Sequence, residues 1–267
     1  MALQKIMRKK PFEGLVYINL LTRKPFKYVI CYPQYGREEL KKRINEMKNL
    51  GIEAVEFCGK RIVCNLSVLG KGCVGIVIMA HTPFGRAALK IRRTDANRKS
   101  MHREAEMLKK ANSVDVGPKL LGYSENLLLT EFVDGILLPE WLESIRRDDD
   151  ITKLTLKKVL LEIVKQSRRL DSIGLDHGEL SKASKHIIVR PDGNVCIVDF
   201  ESASTFRRAS NVTSVCQFLF IKGQASKRIS KILGVVSRER LISALRTYKK
   251  NKSDENFCKI LKICGLV

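Results

Sequence analysis

A chain of 267 residues, 44% of them hydrophobic, has the composition of an ordinary globular protein and can hold one large domain or two small ones. No apolar run reaches 18 residues, which argues against a membrane-spanning helix, and Pro11-Phe12-Glu13-Gly14 interrupts the apolar stretch that a secretory leader would need after Lys5, Arg8, Lys9 and Lys10. The formal net charge of +22 says nothing about fold but favours a polyanionic neighbour.

In chain order, residues 1–27 carry seven basic residues against the single acid Glu13. Tyr28-Val29-Ile30-Cys31-Tyr32 reads as a strand. Residues 37–50 read as a helix, with Leu40, Ile44 and Met47 on one face and Gly51 as the stop. Residues 52–58 alternate as a second strand, with Val55 and Phe57 inward. A β-α-β unit of this size cannot bury much surface alone, so residues 1–60 are expected to pack as an extension on the lobe C-terminal to them. Strands are expected at 61–69, 75–80 and 86–92, then a helix at 97–111 with Met101, Ala105 and Leu108 inward, then strands at 120–123 and 127–132. Residues 154–173 carry a buried-face helix that Gly174 ends. A hairpin at 186–189 and 195–198 surrounds Pro191-Asp192-Gly193, and helices are expected near 212–222, 225–233, 237–249 and 254–264. The eight cysteines include no C-x-x-C pair, and several lie in apolar runs. Reduced thiols of a cytoplasmic protein are expected rather than zinc ligands or disulfides.

Three motifs carry chemistry. Gly70, Gly72 and Gly75 form a G-x-G-x-x-G loop, with Val77 two residues on and Lys90 beyond the turn Thr82-Pro83-Phe84-Gly85. Glycines let backbone N–H groups approach phosphates without side-chain obstruction. The same triplet opens a helix in dinucleotide-binding folds, where an acid stands about 20 residues on, and Asp95 lies at that distance. The residues after Gly75, however, are β-branched and soon broken by the turn, which reads as strand, hairpin, strand. Downstream come Asp176-His177-Gly178-Glu179-Leu180 and, after an apolar strand, Asp199-Phe200-Glu201.

Taken in order, this set resembles the protein-kinase-like superfamily, and within it small archaeal predicted Ser/Thr kinases and RIO-type atypical kinases. The resemblance implies an α+β, minimal two-lobed protein-kinase-like fold with an N-terminal β-α-β extension. Its parts would be the basic segment and extension at 1–60, an N-lobe at 61–135 and a reduced helical C-lobe at 136–267. It implies ATP and Mg²⁺ as cofactors. Gly70, Gly72, Gly75 and Val77 would cover the nucleotide, and Lys90 would pair with its phosphates and with Glu104. Thr130-Glu131-Phe132-Val133 would take the hinge position, where Glu131 and Val133 offer backbone groups to the base. Lys90, Glu179 and Asp199 would be the catalytic set, with Glu179 orienting an acceptor hydroxyl and Asp199 holding the metal.

The chain departs from that pattern at three places. Glutamate replaces the catalytic aspartate at 179, and Glu201 replaces the last glycine of D-F-G. The asparagine expected five residues after the catalytic acid is Ser184, and strand alignment instead brings His186 into the metal-ligand position. Lys182 and Lys185 in the same loop could supply positive charge to the γ-phosphate. Arg207-Arg208-Ala209-Ser210 resembles a basophilic kinase target, and no A-P-E motif comes after it. The expected activity is phosphoryl transfer to a Ser or Thr of a protein or of the chain itself. A nucleotide-binding pseudokinase scaffold and an RNA- or ribosome-associated ATPase are the alternatives. Residues 205–252 hold twelve Lys or Arg against the single acid Glu239, so they and residues 1–27 are the candidate contacts to RNA or a ribosomal particle.

Overall fold

Residues 10–147 and 149–267 are described in the computed structural model, and their contacts divide them into two units. One unit holds the described residues up to Ala105 and Leu120–Phe132. The other holds Glu106–Lys119 and Val133–Val267.

The first unit is built on an antiparallel sheet. Its elements are β1 (Gly14–Tyr17), α1 (Phe26–Ile30), α2 (Arg37–Asn49), β2 (Ala54–Phe57), β3 (Arg61–Val63), β4 (Leu66–Val68), β5 (Gly70–Lys71), β6 (Gly75–Thr82), β7 (Gly85–Arg92), the start of α3 (His102–Asn112), β8 (Leu120–Tyr123) and β9 (Leu127–Glu131). Seven strands form the main sheet in the order β1-β2-β6-β7-β9-β8, with β5 added to β6. Period-two alternation sorts the side chains. Ile76, Ile78 and Ala80 of β6 join Leu89 and Ile91 of β7 and Leu127 and Leu129 of β9 in a core with Leu40 and Met47 of α2. Leu128 points the other way, to Val74, Met101 and Ala105.

Three expectations need correction in this unit. Residues 28–32 are not a strand: Phe26–Ile30 is a short helix, and the first strand is Gly14–Tyr17. Val29, Ile30 and Cys31 are all fully buried, and a short continuous apolar run does not distinguish a buried strand from a buried helical turn. Residues 61–69 are two strands, because Cys64 and Asn65 both adopt left-handed φ (50° and 61°) and close a two-residue hairpin between Val63 and Leu66. The sheet is also larger than the five strands expected, since β2 pairs with β6 and carries β1 beyond it. Arg43 of α2 ties α1 and α2 to the end of β7. Its guanidinium is fully buried and donates to Ile30 O (2.7 Å), Arg92 O (2.6 Å) and Glu39 Oε1 (2.7 Å).

The second unit contains β10 (Ile136–Leu137), α4 (Leu138–Ser144), α5 (Asp150–Ser172), β11 (Ile187–Val189), β12 (Val195–Ile197), α6 (Asn211–Cys216), α7 (Gly223–Leu233), α8 (Arg238–Lys250) and α9 (Asp254–Ile263), with a π-helical turn at 217–221. Asp149 caps α5 by accepting from Thr152 N (2.8 Å), and Ser253 caps α9 by accepting from Asn256 N (3.2 Å). The buried stripe of α5 runs Leu156, Val159, Leu160, Ile163, Val164, Leu170. Strands β10, β11 and β12 form a small antiparallel sheet, whose β11–β12 turn is fixed by Asp192 accepting from Asn194 N (2.9 Å). No helix among the described residues is long and apolar enough to cross a membrane. All eight cysteines are free thiols.

Candidate active-site residues

The first cluster lies within the sheet unit. Strand β5 pairs with β6 so that Gly70 faces Val77, and Gly72 N donates to Gly75 O (2.8 Å), closing the glycine loop as a hairpin with Cys73 exposed. Strand β6 comes at once, and β7 returns beside it with Lys90 opposite Val77. This strand–hairpin–strand path rules out the helix that a dinucleotide fold places after its glycines. Asp95 has a local partner: it is held in a fork by Arg93 Nε (2.8 Å) and Nη2 (2.7 Å), which lowers its carboxyl below the usual range.

Gly75 lets Lys90 cross the loop. A Cβ at residue 75 would meet Lys90 Cγ at 2.9 Å and Ile91 O at 3.1 Å. The lysine stem therefore runs over the glycine, and its Nζ donates to Glu104 Oε1 of α3 at 2.8 Å. The two side chains are 12% and 4% exposed, so this is a buried ion pair rather than a surface contact. Glu106, two residues on, is exposed. Glu131 ends β9, and Val133 is a buried residue at the start of the second unit.

The second cluster lies within the helical unit. A short 3₁₀ segment, Leu180–Lys185, carries the chain from Glu179 to His186, directly before β11. Lys182, Ser184 and Lys185 are exposed on it. His186 is buried, and its Nε2 lies 2.9 Å from Glu179 Oε2. Its Nδ1, which has no hydrogen-bond partner, lies 3.7 Å from Asp199 Oδ2. Asp199 stands after β12 in the left-handed region (φ 71°, ψ 77°), a conformation that costs a non-glycine residue about 1–2 kcal/mol and turns the chain sharply after the strand. Beneath this group His177 is fully buried, with Nε2 3.2 Å from Val198 O and its ring edge-on to Phe200. Burial, reinforced by neighbouring His186, pushes the His177 pKa down to about 4, so it is neutral at physiological pH.

A divalent cation can be tested against this donor set. No group of three or more His, Cys, Asp or Glu side chains among the described residues is placed to hold a metal unaided. Asp199 Oδ2 and His186 Nδ1 do converge, and with Nε2–H donating to Glu179 the Nδ1 lone pair would face the carboxylate oxygen. Such a pair would suit a cation between them only if oxygen ligands from outside the chain completed its shell.

Sequence reasoning did not assign the parts played by four further residues, Ser202, Arg207, Gly178 and Asn211. Ser202 Oγ donates to Glu179 Oε1, so both oxygens of that carboxylate are engaged. Arg207 donates to Ser202 O (2.6 Å) and to Asp176 Oδ2 (2.8 Å), which holds residues 202–207 against the loop of Glu179. Gly178 makes this contact possible: φ is +90°, and a Cβ there would meet Arg207 Nη2 at 2.6 Å and Ser202 O at 2.9 Å. The loop is anchored from below by Asn211, which accepts from His177 N (2.9 Å) and donates to Leu175 O (2.7 Å) and Asp171 Oδ1 (2.9 Å). Asp171 alone among these anchors carries a sequence signal, since it continues the buried stripe of α5 as an acid.

No family model matches the chain. The chain is similar to an uncharacterized protein, MJ1211, of Methanocaldococcus jannaschii: 28% identical over 105 residues, which is 39% of this chain and 84% of that protein.

Proposed function

We propose that the chain is an ATP-dependent phosphotransferase of atypical Ser/Thr-kinase type, with a two-lobed protein-kinase-like fold. One observation carries this reading: the buried Lys90–Glu104 pair, seated directly behind a glycine hairpin whose Gly75 is required for the lysine's path. An ammonium held this way is pre-oriented for phosphate oxygens, and a hairpin of glycines admits them. Asp199, with His186 Nδ1, would hold Mg²⁺, which when bound neutralises charge on the phosphates. Glu179, fixed by His186, would orient the acceptor hydroxyl and take its proton.

Thermal denaturation with Mg-ATP tests the reading. Ligand at about 100 times its Kd stabilises by about 2.7 kcal/mol, worth roughly 5–11 °C in a chain of this size. Asp199→Asn should remove the metal dependence of the shift. Absence of any shift at millimolar ATP overturns the proposal. The run of exposed cations Arg238, Arg240, Arg246, Lys249 and Lys250 on α8 favours a second reading, an ATPase that docks on RNA or a ribosomal particle. Phosphate release measured with and without structured RNA separates the two.

A further inference from the structure

Ser202 holds a particular place in the second cluster. It is three residues past Asp199, half-buried, and its hydroxyl donates to the oxygen of Glu179 that His186 leaves open. A hydroxyl bonded to a carboxylate, with that carboxylate fixed by a third group, is the arrangement expected of an activated nucleophile and its base. Here the hydroxyl belongs to the chain itself. On the phosphotransferase reading above, we infer that Ser202 is an acceptor in cis: the chain transfers one phosphoryl group from its own bound nucleoside triphosphate to Ser202 Oγ.

The step balances. The Oγ–P bond forms as the bond from the γ-phosphorus to its bridging oxygen breaks. The Oγ proton passes to Glu179 Oε1 and on to solvent, and a nucleoside diphosphate leaves. The product has a receiver in place. Arg207 already reaches the backbone oxygen of Ser202 at 2.6 Å while anchored to Asp176, so its guanidinium is within a side-chain rotation of a phosphate on residue 202. The product also removes the Ser202–Glu179 hydrogen bond and sets a dianion beside a carboxylate. That repulsion drives the modified side chain off Glu179 and opens the carboxylate to an external hydroxyl. The reaction is thus limited to one event per chain at this residue, and it precedes transfer to any other acceptor.

The test uses full-length protein treated with phosphatase and checked by intact mass. It is incubated with γ-labelled ATP and Mg²⁺, and the label is mapped by peptide mass spectrometry while the ATP-induced melting shift is recorded in parallel. The expected result is one phosphate per chain on residue 202, formed at a rate that does not change with protein concentration. Glu179→Gln should slow labelling by about 10²–10⁴-fold with the melting shift retained. Ser202→Ala should remove the label with the shift retained, and Ser202→Thr, which keeps a hydroxyl, should carry it at the same position. If ATP shifts the melting point but phosphate appears only on Ser210, only in solution, or at a rate that rises with protein concentration, the inference fails while nucleotide binding stands. If ATP produces no shift and no label, the phosphotransferase reading fails and this inference with it.

Discussion

Replacing Lys90 with methionine removes the ammonium from a carboxylate that is only 4% exposed and keeps most of the side-chain volume. Breaking a buried pair from one side costs about 3–5 kcal/mol, because the remaining charge stays desolvated. At about 2–4 °C per kcal/mol, Lys90→Met should lower the melting temperature by roughly 6–20 °C. The double variant Lys90→Met/Glu104→Leu replaces both charges with apolar groups, and such replacements are neutral or stabilising by about 1–4 kcal/mol. It should melt close to the unaltered chain or above it. Neither variant should show the ATP-induced shift, so the double variant separates nucleotide binding from folding. Calorimetry on the four proteins of the cycle, with and without Mg-ATP, reads both effects. A single-variant cost below about 1 kcal/mol, the range of exposed pairs, would refute the structural argument. An intact ATP shift in the double variant would refute the functional one.

Three other outcomes are expected. His177 has its pKa depressed to about 4 in the folded chain, so between that value and about 6.5 the unfolded chain binds more protons. Its contribution is complete above the upper value and is lost as pH falls through the window, by about 3 kcal/mol in total. Urea unfolding between pH 7.5 and 4.5 without divalent cation should show this loss, and His177→Phe should flatten it. Asn211→Ala leaves the buried His177 N–H and Leu175 C=O without partners, at about 1–3 kcal/mol for each group. Chemical denaturation should show that loss, together with faster amide exchange at residues 175–179. Neutralising Lys249, Lys250 and Lys252 together should weaken binding to structured RNA and reduce the slope of log affinity against log salt by up to about 3. An unchanged slope in an anisotropy titration would remove these residues from any such contact.

What can be read from the sequence divides along physical lines. Strands β6 and β7 and helices α5 to α9 announce themselves through period-two and 3.6-residue patterns with caps or glycine stops, and the structure has them at nearly the expected residues. The Lys90–Glu104 contact is also legible, though only through the resemblance that suggested it, since no local period links a strand lysine to a glutamate 14 residues on. The helix at Phe26–Ile30 is not, since buried short runs carry no period. Nor is the hairpin at Cys64–Asn65, where cysteine gives no cue to a left-handed turn. The bond from Ser202 to Glu179 spans 23 positions and depends on the turn at Asp199 and the open side of Gly178. No local pattern encodes it.

The Arg43 clamp bears on where this chain can be shortened. The chemistry-bearing motifs begin only at Gly70, but β2 pairs with β6 and carries β1 beyond it, and α2 supplies Leu40 and Met47 to the same core as Ile76 and Ile78 of β6. A truncation at residue 60 would strip β2 from Met79, Ala80 and His81 and leave that half of β6 an unpaired edge, while β5 still pairs with Ile76 and Val77. Unpaired sheet edges recruit further strands from other chains. The shortened protein should therefore precipitate or associate, and the minimal soluble piece should begin no later than β1.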